Sequence, residues 1–245
     1  MSETALIKLS RLVALRRELD TVANNVANAS TTGFKAQRAA FKEFLKPIEQ
    51  ADPVAKPERP VSMVHATAGF TDLSRGAVEP TGSELDVAID GNAFFVIQTA
   101  KGERYTRNGS FTLDSSGRLV NQQGQPVLGS SGSIIVPAED GPATVNADGT
   151  VSTRVGIRGK LRLAYFESPQ RLVPEGANTL RSDEQPVDRP VGAVRLVPRS
   201  LERSNVQPLV EMSRLVEITR AYELVSGMLK QDGDKNELQR LADVL

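Results

Sequence analysis

Residues 23–35 read ANNVANASTTGFK, and they mark the place where a helical pattern gives out. From Thr21 to Phe34 no side chain carries a charge, although charged residues make up 24% of the chain. Upstream, Leu12, Leu15, Leu19, Val22 and Val26 recur at alternating spacings of three and four, the seam of an amphipathic helix. Ala29 would continue that seam. Ser30, Thr31 and Thr32 offer hydroxyls to the backbone in competition with the helix, and Gly33 is a natural stop. At about 100° per residue, Asn24, Asn25 and Asn28 fall together within roughly 100°, away from Val22 and Val26. An uncharged amide face can hydrogen-bond at a buried contact without the desolvation cost of a charge, so it points to a second partner. The competing reading is a solvated polar face, which would favour charged, stronger helix formers over Asn.

The other end of the chain repeats the pattern. From Val210 to Lys230 the one helix-weakening residue is Gly227, and Leu215, Ile218, Tyr222, Val225 and Leu229 again step by three and four. Asp232-Gly233-Asp234 offers a bend or break before Leu238, Leu241 and Leu245 resume an apolar face. Each stripe must be buried, and each is the other's nearest suitable partner. That predicts a coiled-coil-like pair made from opposite ends of the chain.

Between the ends the pattern changes. Prolines at 47, 53, 57 and 60 exclude a long helix there. From Leu85 onward, short β-branched and aromatic runs alternate with Asp90-Gly91, Asn108-Gly109, Ser116-Gly117, Gln123-Gly124 and Asp148-Gly149, which are hairpin signals. Residues 85–200 therefore read as an all-β domain of short antiparallel strands, a barrel or a sandwich. The expected fold class is α+β, with this domain inserted between two pairing helices. Its parts are an N-terminal helix over 1–32, an extended linking arm over 33–81, a β-rich domain over 82–200 and a C-terminal helix over 201–245.

Composition removes several function classes. The 30 basic and 30 acidic side chains balance, so nothing in the total draws the chain to nucleic acid, a membrane surface or an anionic substrate. With no Cys there is neither disulfide nor thiolate chemistry. Trp is absent and aromatics reach only 4%, sparse for binding glycans or stacking bases. No stretch is apolar and long enough to span a bilayer. Arg11, Arg16, Arg17 and Glu18 fall where a signal peptide needs an apolar core, so no cleavable signal is expected. His65 is the only histidine and has no Cys or second His to work with. In QDGDKNE, Asp232, Asp234 and Asn236 alternate like a calcium loop, but Glu237 stands where glycine is required and Asp243 where Glu is usual. It reads as a helix break. No catalytic, metal or cofactor-binding residue is expected, and no cofactor.

ANNVANASTTGFK (23–35) closely resembles the N-terminal signature of flagellar rod and hook proteins. GSELDVAIDGNAFFVI (82–97) and YTRNGSFTLDSSGRLVNQQGQPVLG (105–129) resemble the central β motif of that family. SLERSNVQPLVEMSRLVEITRAYE (200–223) resembles its C-terminal signature, in which a Leu-Glu-x-Ser-Asn-Val turn leads into a helix. All occur in family order across nearly the whole chain. The opening LSRLVALRRELD and the modest length look most like proximal-rod members, with distal-rod members as the near alternative. Ala93, often Gly in the family, and the tail QDGDKNELQRLADVL depart from the pattern.

The resemblance implies a non-catalytic subunit of the bacterial flagellar basal body. Such a protein leaves the cell through the flagellar type III export apparatus without a cleaved signal. It assembles in the periplasm, with copies of itself and other rod proteins, into a hollow shaft that carries torque to the hook. No nucleic acid or small-molecule substrate is implied. Terminal helices would form the inner tube, with the β domain outside. On that reading Leu12, Leu15, Leu19, Val22 and Val26 pair with Leu215, Ile218, Tyr222, Val225 and Leu229, while Asn24, Asn25 and Asn28 meet adjacent subunits. Phe34, Phe41 and Phe44 would anchor the arm to neighbours, or equally pack on the chain's own β domain. The runner-up class is a coiled-coil adaptor whose β domain binds a small ligand.

Overall fold

A computed structural model describes residues 3–46, 61–187 and 194–242, with side chains for 6–40, 69–187 and 194–231. The chain is α+β, with two helices and many short antiparallel strands, and it divides into two compact units.

The helical unit contains α1 (Glu3–Ala27), β1 (Gln37–Lys46), β2 (Val61–Thr71) up to Phe70, and α2 (Pro208–Ala242). β1 and β2 pair with each other, so residues expected to be an extended arm form a two-stranded ribbon. α1 stops at Ala27, earlier than Gly33. Asn28 takes over the backbone there: its carbonyl accepts from Thr31 N at 3.0 Å and its side-chain oxygen from the Thr31 hydroxyl at 3.1 Å. A cluster of Asn, Ser and Thr satisfies local backbone groups outside the helix and so ends it. Pro208 opens α2, where its missing N–H costs nothing and its fixed φ suits a first turn. Asp232-Gly233-Asp234 does not interrupt α2, which is helical through Ala242. One glycine costs about 1 kcal/mol in a helix, too little to break one this long.

The β unit holds residues 28–36 and 71–206. Its strands are β3 (Val78–Pro80), β4 (Val87–Asp90), β5 (Phe94–Thr99), β6 (Gly102–Thr106), β7 (Phe111–Leu113) and β8 (Leu119–Asn121). Short pieces follow: β9 (Leu128–Gly129), β10 (Gly132–Ser133), β11 (Thr144–Val145), β12 (Thr150–Ser152), β13 (Ile157–Lys160) and β14 (Leu163–Ala164). The last are β15 (Val173–Pro174), β16 (Leu180–Arg181), β17 (Arg195–Pro198) and β18 (Ser200–Glu202). They form several small sheets instead of one closed barrel, the largest being five-stranded in the order β14-β5-β6-β16-β15.

β5 is central because both its faces are buried. Phe95 and Ile97 enter one core with Val87, Ile89, Phe111 and Leu196; Phe94 and Val96 enter a second with Tyr105, Phe166 and Leu180. This is why AFFVI (93–97) reads as a continuous apolar run and not as an alternation. The Phe95 and Phe111 rings meet edge to face at 5.0 Å, and Tyr105 meets Phe166 the same way at 4.8 Å, the arrangement the ring quadrupole favours.

Ser116-Gly117 joins the paired strands β7 and β8, and Asp148-Gly149 joins β11 and β12, as hairpin signals should. Asp90-Gly91 and Asn108-Gly109 close no hairpin. β4 pairs with the distant β17 (Val87 opposite Pro198, Asp90 opposite Arg195), and β18 pairs with β3. Gly109 is needed for close approach instead: a Cβ there would lie 1.7 Å from the Val87 carbonyl oxygen.

Candidate functional site

Two polar nodes, one in each unit, account for the residues in which the chain's terminal motifs are richest. In the β unit the Thr-Thr-Gly-Phe-Lys segment lies against the last strand. Gly33 N donates to the Glu202 carbonyl at 2.6 Å. With φ at 66° and a Cβ position 2.5 Å from the Arg107 and Asn108 backbone, Gly33 has no room for a side chain. Lys35 Nζ donates to Glu202 Oε1 at 2.5 Å and to the Ser74 carbonyl at 2.6 Å. From the other side Arg107 holds Glu202 Oε2, with Nη2 at 2.7 Å and Nε at 2.9 Å. The remaining Arg107 hydrogens reach the carbonyls of Gly91 (2.7 Å), Ala93 (2.6 Å) and Ile89 (3.3 Å), and its guanidinium lies 5.8 Å from the Phe94 ring centroid.

All three charged groups are buried, so two cations share one carboxylate. Burial pushes the Lys35 amine below its ordinary pKa, with the Glu202 charge and hydrogen bond pulling the other way, and the same balance lowers Arg107. Such a cluster survives only when every lone pair and proton is used. Here Gly76 N also donates to Glu202 Oε1, at 3.1 Å. Beside it Asn205 ties the two chain ends of the unit together. Its Oδ1 accepts from Ala36 N at 2.7 Å, and its Nδ2 donates to the carbonyls of Asp72 (2.8 Å) and Ser74 (3.1 Å). Phe34 is buried with Ala36 and Val206.

In the helical unit the node is built on Asn25. Its Oδ1 accepts from Gln37 N at 2.8 Å, while Nδ2 donates to the Gln37 carbonyl at 2.8 Å and to Glu211 Oε2 at 3.2 Å. The other oxygen of Glu211 accepts from Arg38 Nη1 at 2.7 Å. Asn25 and Glu211 are each 1% exposed. A second link joins Arg214 Nη2 to Glu18 at 2.5 Å. Along α1 the order is 18 then 25, and along α2 the partners are 214 then 211, so the helices run antiparallel.

Of the seam residues, Val22, Ile218 and Val225 are buried, and Leu12, Leu15, Leu19, Val26, Leu215, Tyr222 and Leu229 are half-buried. Both helices also carry apolar residues in the open. On α1, Leu6, Leu9 and Val13 fall within roughly 60° on the side away from Val22. On α2, Leu209 (81% exposed), Met212, Val216, Leu224 (63%) and Met228 span an arc of roughly 160° opposite Ile218 and Val225.

The amide face divides accordingly. Asn24 and Asn28 are half-buried. Asn25 turns inward, because it sits only about 60° around the helix from buried Val22. Phe34 packs within its own unit, and the side chains of Phe41 and Phe44 lie outside the described residues. His65 has its backbone in β2, and its side chain too lies outside them. Lys35, Arg107, Glu202 and Glu211 are residues the sequence reading did not single out. Lys35 does carry a signal, as the first charge after the long neutral run. Glu211 carries another, as an acid in the first turn of α2.

Comparison with known proteins finds three matching family models. Residues 6–35 match the model described as flagella basal body rod protein, residues 88–153 the flagellar hook protein FlgE/F/G D1 domain, and residues 197–234 the flagellar basal body rod FlgEFG protein C-terminal. The flagellar basal-body rod protein FlgF of Caulobacter vibrioides is 38% identical, over 100% of both chains. FlgF of Escherichia coli is 33% identical over 88% of this chain and 90% of its own, and the rod protein FlgG of Bacillus subtilis 29% identical over 90% and 91%.

Proposed function

The chain belongs to the flagellar basal-body rod protein family, and from that premise we propose that the outward apolar faces of α1 and α2 are what build it into the rod. It is a structural subunit, and its similarity to FlgF over the full chain favours the proximal rod, with a distal-rod, FlgG-like place as the alternative.

One observation carries the reading. On the side of α2 opposite Ile218 and Val225, Leu209, Met212, Val216, Leu224 and Met228 stand exposed among Glu217, Arg220 and Glu223, and no described part of the chain covers them. Large apolar side chains left in the open at that density mark a contact surface, and here copies of the chain and other rod proteins would cover it. The seam residues Leu12, Leu15, Leu19, Val22 and Val26 form a coiled-coil-like pair with Leu215, Ile218, Tyr222, Val225 and Leu229. Asn24 and Asn28 stand at the contact with adjacent subunits, beside the open stripe. The chain passes through the flagellar export apparatus and assembles in the periplasm.

The test pairs two substitutions in a strain lacking the chain. Leu224→Glu should leave the purified chain's stability within about 0.5 kcal/mol, as a surface change does, yet abolish hook-bearing basal bodies. Leu215→Asp, in the seam, should lose both stability and assembly. Normal swimming with Leu224→Glu would remove the outward face from the rod. A small, defined oligomer of the wild-type chain at high concentration, in place of filaments, would favour the adaptor.

A further inference from the structure

The seam of the helix pair has a weakness as a specifier. Leu12, Leu15, Leu19, Val22 and Val26 are similar residues at a regular repeat, so sliding α1 along α2 by one repeat exchanges one aliphatic contact for another. Apolar packing alone does not choose among such registers. In helical pairs a single buried Asn can, because only one register gives its amide partners.

We propose that Asn25 and Glu211 form an intrachain register lock, which fixes the alignment of α1 with α2 and the point where β1 begins. Asn25 is buried, and its amide oxygen and amide nitrogen are both engaged inside the chain. Its reciprocal bonds to the N–H and carbonyl of Gln37 copy the exchange between two residues of an antiparallel ladder. The Asn25 side chain thus acts as a partner strand for the first residue of β1. Glu211 then joins the three elements, accepting from Asn25 on α1 and from Arg38 on β1 while standing in the first turn of α2. A slide of one repeat would leave the carboxylate buried without Asn25 and the Gln37 backbone groups unpaired. Both are costly in an apolar setting.

The chemistry demands Asn. Aspartate has no hydrogen to give and would set a second carboxylate at 3.2 Å from Glu211, the present Asn25 Nδ2 distance. That is also the way to test the lock, because the repulsion is removed by changing the partner. In Asn25→Asp with Glu211→Gln, the new amide donates to the new carboxylate, restoring that bond with its polarity reversed, while the Gln37 carbonyl stays without its donor.

The experiment follows the far-ultraviolet helical signal of the purified full-length chain through chemical unfolding, so it does not depend on the rod reading. Asn25→Asp should lower the folding constant of the helical signal by more than about tenfold, since a buried charge loses its partner. The double variant should recover by at least about threefold over Asn25→Asp while staying below wild type, a coupling expected only between groups in contact. Glu211→Gln alone should fall between them. The lock is overturned if Asn25→Asp leaves the helical signal unchanged. It is equally overturned if the double variant is as damaged as Asn25→Asp, which would place the partner of Asn25 elsewhere.

Discussion

Leu196 in β17 and Leu224 in α2 are the same residue with opposite surroundings: one is 1% exposed, the other 63%. The difference extends to their units. Around Leu196 the β unit closes on itself, with large side chains in two cores and buried Lys35, Arg107 and Glu202 joined in one cluster. Around Leu224 the helical unit covers one side of each helix and leaves apolar residues on the other. Apolar surface of that extent on a helix marks a place for a partner. On the proposed reading the two units divide the task, one finished by folding and the other by assembly. Substitutions should then act on different observables according to the unit they strike.

The largest expected effect is at Glu202. Glu202→Ala leaves Lys35 and Arg107 buried without a counter-charge, and breaking a buried pair costs about 3–5 kcal/mol. Denaturant unfolding followed through the environments of Tyr105 and the β-unit phenylalanines should shift by that amount. A shift no larger than that of Leu224→Ala would break the contrast between the units. Next is Gly33→Ala, which adds a methyl against the Arg107 backbone at a positive φ. Its expected cost is about 2–3 kcal/mol, read in the same β-unit transition and not in the helical signal. If the helical signal moves first, Gly33 serves as a helix stop and the β-unit assignment of residues 28–36 fails.

The smallest effect is a pH dependence. The Lys35 amine is held below its ordinary 10.5 by burial. Below the lowered value both folded and unfolded chains hold the proton, and its burial cost is fully present. Between the lowered value and 10.5, the unfolded chain keeps a proton that the folded chain releases, so stability from this group rises with pH. Tyr105, raised by burial, works the other way above its ordinary 10.0, so the measurement is a difference. Wild type should gain on Lys35→Met by about 1 kcal/mol at most as the pH is raised into the alkaline range. A flat difference would show that Lys35 is not desolvated in the closed unit.

What was legible in the sequence was what repeats. Both helices, their inward stripes and the β character of the middle follow from periodicity and from glycine turns. Asn25 shows where periodicity stops: the angular pattern placed it with Asn24 and Asn28, but not the strand that draws its amide inward. The same holds for pairing. Asp90-Gly91 looks like the tip of a hairpin, yet β4 finds its partner in β17, far along the chain. The Glu202 cluster was hidden by distance, as Lys35 and Glu202 are 167 positions apart and neither stands out alone. Read together, Thr-Thr-Gly-Phe-Lys and Leu-Glu-x-Ser-Asn-Val are two halves of one site.

That site has a consequence for how such chains can diversify. Asn205 Nδ2 donates to the Asp72 carbonyl at 2.8 Å, so the 71–206 stretch of the β unit begins and ends at nearly one point. Everything between them is an insert whose two ends are already clasped. Inserts of this kind can lengthen, shorten or be exchanged with little effect on the flanking chain, because closing a longer loop adds only about 0.6 kcal/mol per doubling. A graft that keeps residues 28–36 and 200–206, together with groups able to stand in for Arg107 and the Ser74 carbonyl, should carry a different inserted body between the same pair of helices. The clasp makes the inserted body interchangeable, and leaves the helices as the part that cannot be.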